Sequence, residues 1–233
     1  MILVLWDIDR TLLYVGETDR LVYREVFRAL VGRSATALPA RGTGVTMPLA
    51  VRELLSANDV PASSIDHLAG QMVDRLPGEL RRHQEALLRD GSLMPGAVEA
   101  LKAVHADPQL VPTIVTGNLK ESAEIKLSAF GLAGFVDMAV GGYASDDSHR
   151  PALVRIAQDK AETTYGHLFT RENTVIIGDS LQDVRTGQEG GARVIAVTSG
   201  TTSAQALTEA GADHIIEDLT DPVQVLSLIH DRP

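Results

Sequence analysis

Apolar and polar positions along this chain follow two alternating rhythms. Short apolar runs bounded by polar turns occur at Ile2–Trp6, Val111–Val115, Val136–Val140, Thr174–Ile177 and Val194–Val197, with a brief one at His214–Ile216. These read as strands. Helical stretches lie between them. "PGAVEALKAVHAD" opens on a proline, "NLKESAEIKLSAFG" carries apolar Ile125, Leu127 and Phe130 and stops at Gly131, and "PALVRIAQDKAETTYG" also ends on a glycine. Strand and helix in alternation predict an α/β fold: a three-layer, Rossmann-like parallel sheet with helices on both faces.

The rhythm breaks after the first strand. From residue 15 to 92 only helical patterns appear: "TDRLVYREVFRALVG", with Thr18 as its expected N-cap, "MPLAVRELLSAN" and "SIDHLAGQMVDRLPGELRRHQEALLRD". The Leu76–Pro77–Gly78 step is expected to kink or split the last of these. An insertion this long, with amphipathic helices of its own, predicts an all-α domain set into the sheet domain. The expected boundaries are residues 1–14 and 93–233 for the core and 15–92 for the insert.

Composition sharpens this picture. The 233 residues are 44% hydrophobic but only 4% aromatic, so the core must be built mainly from Leu, Val, Ile and Ala. Cysteine is absent, which excludes disulfides, Cys-based zinc sites and a thiol nucleophile and fits a reducing cytoplasm. The opening apolar run has no basic flank or cleavage signal, and no stretch approaches the roughly 18 apolar residues of a membrane span. A soluble, cytoplasmic protein that binds neither membrane nor nucleic acid is expected, as a monomer or homodimer. The net charge of −10 supports the exclusion of nucleic acid. Residues 15–92 hold ten arginines, ten acids and no lysine, so the rest of the chain carries the whole deficit.

Candidate chemistry sits where each strand ends. In open parallel sheets, ligands gather beyond the carboxyl ends of the strands. There the chain places Asp7, Asp9 and Thr11; then Thr116, Gly117 and Asn118; then Asp146, Asp147 and Arg150; and then Asp179, Ser180 and Asp183. Carboxylates converging from several strands repel each other unless a cation sits among them. An oxygen-only donor set of Asp7, Asp9, Asp179 and Asp183 suits Mg²⁺, which often bridges to a substrate phosphate. Thr116, Asn118, nearby backbone amides and Arg150 are suitable phosphate donors. Asp7 could attack phosphorus, and Asp9, two residues along an extended chain, could move protons.

Three segments in order, "DIDRT", "TGN" and "GDSLQD", resemble the haloacid dehalogenase superfamily, specifically its phosphatases. Within it the chain resembles the phosphoglycolate phosphatase and β-phosphoglucomutase subgroup, and "TGVT" at 43–46 is similar to a cap segment of that group. The resemblance implies that Asp7 is the nucleophile and Asp9 the acid/base. Asp179 and the Asp9 main-chain carbonyl would bind Mg²⁺, with Asp183 acting through water, and the insert would be a substrate-closing cap. It implies a phosphatase acting on a small phosphorylated metabolite. A phosphosugar mutase and a non-catalytic phosphometabolite-binding relative are the alternatives.

Two positions depart from the family pattern. Arg150 stands where a lysine is usual, and Lys160 lies too far along its helix to replace it. Arginine keeps its charge but presents it as a flat fork. Arg10 follows Asp9 where glycine is usual and is expected on the rim. Several bland readings accompany these. Thr116–Asn118 would also cap the following helix. Arg41 and Arg52 read as solvated charges, Asp146 and Asp147 as loop solubilisers. The seven histidines read as structural, with His149 nearest the site.

Overall fold

A computed structural model describes residues 1–40 and 44–231. Among these, six parallel strands form one sheet in the order β5-β4-β1-β6-β7-β8. They are β1 (Ile2–Trp6), β4 (Leu110–Thr116), β5 (Gly142–Tyr143), β6 (Thr174–Gly178), β7 (Arg193–Val197) and β8 (His214–Ile216). The strand β1 lies between β4 and β6, with Leu3 opposite both Val111 and Thr174.

Every residue of β1 is buried, because a parallel sheet is covered on both faces. Ile2, Val4 and Trp6 join the apolar layer under α5 (Ala97–Ala106) and α10 (Pro222–His230). Leu3 and Leu5 face the opposite layer, under α7 (Ala152–Tyr165), α8 (Leu181–Gly190) and α9 (Ala204–Glu209). The period of two that marks a strand thus splits β1 between two cores.

The long excursion after β1 is helical, as its pattern requires. It contains α1 (Thr18–Val31), α2 (Met47–Ser56), α3 (Ala62–Arg82) and α4 (Gln84–Asp90). Two short strands, β2 (Leu13–Tyr14) and β3 (Ser92–Leu93), pair antiparallel where the chain leaves for these helices and returns from them. The apolar layer does not stop at that ribbon. Val22, Phe27, Leu54, Met72 and Leu80 from the insert join the same cluster as Leu127 of α6 (Lys120–Ala129) and Leu119 at its start.

Three local expectations fail. Val136–Val140 is not a strand. The Asp137 carboxylate accepts a hydrogen bond from Ala139 N at 2.9 Å, a side-chain turn that takes the run out of the ladder. The sheet gains only Gly142–Tyr143 beyond it. The last helical stretch does not split at Pro77 but at His83, between α3 and α4. Thr18 is the first helical residue of α1 and Glu17 its N-cap, with no side-chain cap bond. Arg41 and Thr43 lie outside the described residues.

Candidate active site

The carboxyl ends of β1, β4 and β6 and the loop before α7 deliver the site. Asp7 is the first residue past β1, and its amide still donates to Ile177 O at 2.9 Å, which fixes its backbone against β6. The ladder of β1 ends at Trp6. Leu12 N bonds back to Ile8 O, and Arg10 takes a left-handed φ of 67°. This tight turn separates the two acids into different surroundings.

Asp7 belongs to an anionic cluster. One carboxylate oxygen from each of Asp7, Asp179 and Asp183 lies within 4.8 Å of the others, and all three residues are buried. Arg150 inserts its guanidinium here, donating to Asp7 Oδ1 at 2.6 Å and also to Asp183 Oδ1. The other oxygen of Asp183 accepts from Ser180 N at 2.9 Å and Ser180 Oγ at 2.6 Å. Ser180 in turn caps α8, so a reciprocal capping box locks Asp183 in place. Asp179 accepts from Thr11 Oγ1 at 3.1 Å. Gly200 passes so close that a Cβ there would stand 1.8 Å from Asp179 Oδ2, so any side chain at that position would displace the carboxylate.

Three acids facing one arginine leave negative charge without compensation. Burial first, then Asp183, pushes the Asp7 carboxyl well above its usual range, and Arg150 only partly opposes this. Asp179 is pushed up to about 7, again by burial first and then by Asp183. Such a buried, oxygen-only, undercompensated donor set fits a hard divalent cation.

Asp9 has a different partner. Its oxygens accept from Lys126 Nζ at 2.9 and 3.1 Å, and Oδ2 also accepts from Asn118 Nδ2 at 2.7 Å. Lys126 additionally donates to Asp19 Oδ2 on α1 and to Asn118 Oδ1, each at 2.8 Å. The sequence reading missed Lys126 altogether, yet its side chain is fully buried. A signal was present: Ala123, Lys126, Leu127 and Phe130 follow the i, i+3, i+4, i+7 spacing of a core-facing stripe.

Thr116, Gly117 and Asn118 all line the same cavity as Asp7 and Asp9. They do not cap α6, whose N-cap is Leu119 with no side-chain bond. Asn118 instead spends its amide group on Asp9, Lys126 and Thr116 Oγ1, the last at 2.8 Å. Gly117 meets the chain entering α2. Its carbonyl accepts from Met47 N at 2.7 Å, and a Cβ on it would lie 2.7 Å from Val45 O.

The cavity measures about 180 Å³. Asp7, Asp9, Arg150 and Asp179 stand on its floor, and Tyr14, Val15, Tyr23, Leu38 and Met47 bring side chains from the helical insert and its approaches. Arg10 also lines the cavity, with its guanidinium 4.9 Å from the centre of the Tyr14 ring. Asp183 is wholly buried behind the cluster.

The remaining candidates lie apart. Lys160 pairs with Asp146 at 3.0 Å and Asp147 accepts from His149 N at 2.7 Å, so both acids serve the loop. Arg52 pairs with exposed Asp66. A second acidic group, Glu25 and Glu79 with His83, gathers on the outside of α1 and α3, where His83 Nε2 sits 2.7 Å from Glu25 Oε2. No described helix is long and apolar enough to cross a membrane.

Residues 148–222, which carry Arg150, Asp179 and Asp183, match the family model described as HAD-hydrolase-like. No curated protein sequence matches the chain. Among solved structures, a hydrolase from Pseudomonas syringae superposes with a TM-score of 0.71 at 21% identity, covering 99% of this chain and all of the other. A protein from Lactobacillus plantarum provisionally assigned as a phosphoglycolate phosphatase gives 0.62 at 22% identity, covering 97% and 98%. One from Bacteroides vulgatus provisionally assigned as a β-phosphoglucomutase gives 0.68 at 18%, covering 98% and 88%. These likenesses establish a shared fold, and the family model adds a match to residues 148–222.

Proposed function

We propose that the chain is a magnesium-dependent phosphomonoester hydrolase that acts on a small metabolite through an aspartyl-phosphate. The observation that carries this is the separation of Asp7 and Asp9. Two acids from one strand end share a cavity, but each has its own buried cation, Arg150 for Asp7 and Lys126 for Asp9. Paired carboxylates in unlike surroundings suit two unlike tasks.

In this reading an Asp7 carboxylate oxygen attacks phosphorus while the bond from phosphorus to the leaving oxygen breaks. Asp9 delivers a proton to that oxygen. Water then attacks the phosphorus of the acyl phosphate, Asp9 takes its proton, and the P–O bond to Asp7 breaks to release orthophosphate. Arg150, already against Asp7, would hold a phosphoryl oxygen as the charge moves. The hydroxyl of Thr116 and the loop amides would orient the rest of the group. Asp7, Asp179 and the Asp9 carbonyl would hold Mg²⁺, which when bound offsets charge on the phosphoryl oxygens, with Asp183 behind them. The helices of 15–92 would act as the cap that excludes water, and their cavity-lining side chains would select the substrate.

Phosphate release from a panel of small phosphomonoesters tests this, with Mg²⁺ or EDTA, for wild type and Asp7→Asn. Release that depends on Mg²⁺ and disappears in Asp7→Asn is expected. Conversion of a sugar phosphate to its isomer, with no net phosphate released, would identify a mutase instead.

A further inference from the structure

We infer that Lys126, braced by Asp19, is a positioning residue that aims the Asp9 carboxyl at the leaving group. The inference rests on the phosphatase reading above. Lys126 does not line the cavity, whereas Asp9, Asp19 and Asn118 do, so any influence on substrate passes through its neighbours.

An ammonium group has three N–H donors. Lys126 directs them at Asp9, Asp19 and Asn118, at 2.8–3.1 Å, so its head cannot swing without giving up a carboxylate or the amide oxygen of buried Asn118. Asp9 is therefore fixed from two directions, by Lys126 across both oxygens and by Asn118 on Oδ2. The brace draws on three separate elements: the turn after β1, the first turn of α1, and α6.

A fully buried lysine is a costly way to fill a core position that methionine or leucine would fill well. The cost is explained if the charge serves Asp9. When Asp9 hands its proton to a departing alkoxide, negative charge appears on its carboxylate. A fixed ammonium at that place stabilises the charge with no reorganisation. The carboxylates of Asp9 and Asp19, at 2.9 and 2.8 Å, supply the opposite charge that a buried ammonium needs. This also makes Lys126 unfit to serve as an amine nucleophile.

The test uses leaving groups. p-Nitrophenyl phosphate departs without protonation, whereas an alkyl phosphate needs a proton from Asp9. Values of kcat/KM report the phosphoryl-transfer half of the reaction for both. For Lys126→Met, kcat/KM on the best alkyl phosphate of the panel should fall on the order of 100-fold, within the usual range for acid–base groups, and on the aryl ester by less than about threefold. Lys126→Arg should restore part of the alkyl activity. Asp19→Asn, which leaves the lysine in place but removes the charge that braces it, should discriminate in the same direction by a smaller factor, and it carries the test should Lys126→Met not fold. Equal losses on the two esters, or no loss on either, would overturn the positioning role. A wild-type protein that hydrolyses neither ester would overturn the phosphatase reading itself, and this inference with it.

Discussion

Asp179→Asn should make the metal-free protein more stable, and the gain should depend on pH in a defined direction. Asp179 is a carboxylate that folding raises from 3.8 to about 7, through burial and then Asp183. Above that value the folded protein carries a charge that its surroundings oppose and the unfolded chain does not. Between 3.8 and about 7 the folded state binds more protons than the unfolded one, so stability rises as pH falls through this window. At 1.36 kcal/mol for each pH unit, the full penalty at pH 8 is about 4 kcal/mol. Asp7 and Asp183 share the same local charge, so removing one member relieves roughly half, or about 2 kcal/mol. Asparagine keeps an oxygen for Thr11 Oγ1. For 233 residues this corresponds to roughly 4–8 °C in melting temperature. Differential scanning calorimetry in EDTA at pH 8 and pH 5.5 reads both quantities. The variant should melt higher at pH 8, with most of its advantage gone at pH 5.5. In Mg²⁺ the wild type should gain more than the variant. A variant that melts no higher than wild type at pH 8 in EDTA, or one whose advantage ignores pH, would refute the account of the cluster as undercompensated charge.

Two further substitutions examine other parts of the molecule. Arg150→Met leaves Asp7 and Asp183 buried without their cation and should lower the stability of the metal-free protein by about 3–5 kcal/mol, read by chemical denaturation in EDTA. Asn58 is fully buried, accepts from Thr36 N at 2.6 Å and Ala37 N at 3.1 Å, and donates to Ala37 O and Leu54 O. Asn58→Ala should cost about 2–4 kcal/mol of stability in the same denaturation measurement, and a loss under 1 kcal/mol would show that this polar hub does not hold the α1–α2 connection.

The strands were legible wherever apolar runs were continuous and buried on both faces, as in β1, β6 and β7. The run at Val136–Val140 misled because Asp137, at its centre, hydrogen-bonds a neighbouring amide, and composition alone does not reveal that local competition. Asp7 and Asp179 were legible because each follows directly on a strand, and Asp183 because the GDSLQD segment sets it one turn further on. Lys126 was overlooked although its stripe with Ala123, Leu127 and Phe130 points inward, because a lysine by residue type reads as solvent-facing. Only the tertiary convergence of Asp9, Asp19 and Asn118 makes a buried ammonium tenable there. The same convergence explains the misread cap: Asn118 turns toward charges remote in sequence and leaves the start of α6 to Leu119.

The place of β1 in the sheet also bears on how the chain is made. Ile2 pairs with Leu110, and Leu3 pairs on its other side with Thr174. At a synthesis rate of roughly 5–20 residues per second, the first of these partners is translated some 5–20 s after β1 and the second later still. For that interval a wholly apolar strand has neither neighbour, although the helices that follow it close through local contacts. The segment that delivers Asp7 therefore needs protection on the ribosome, and the site it serves is completed only when β6 docks.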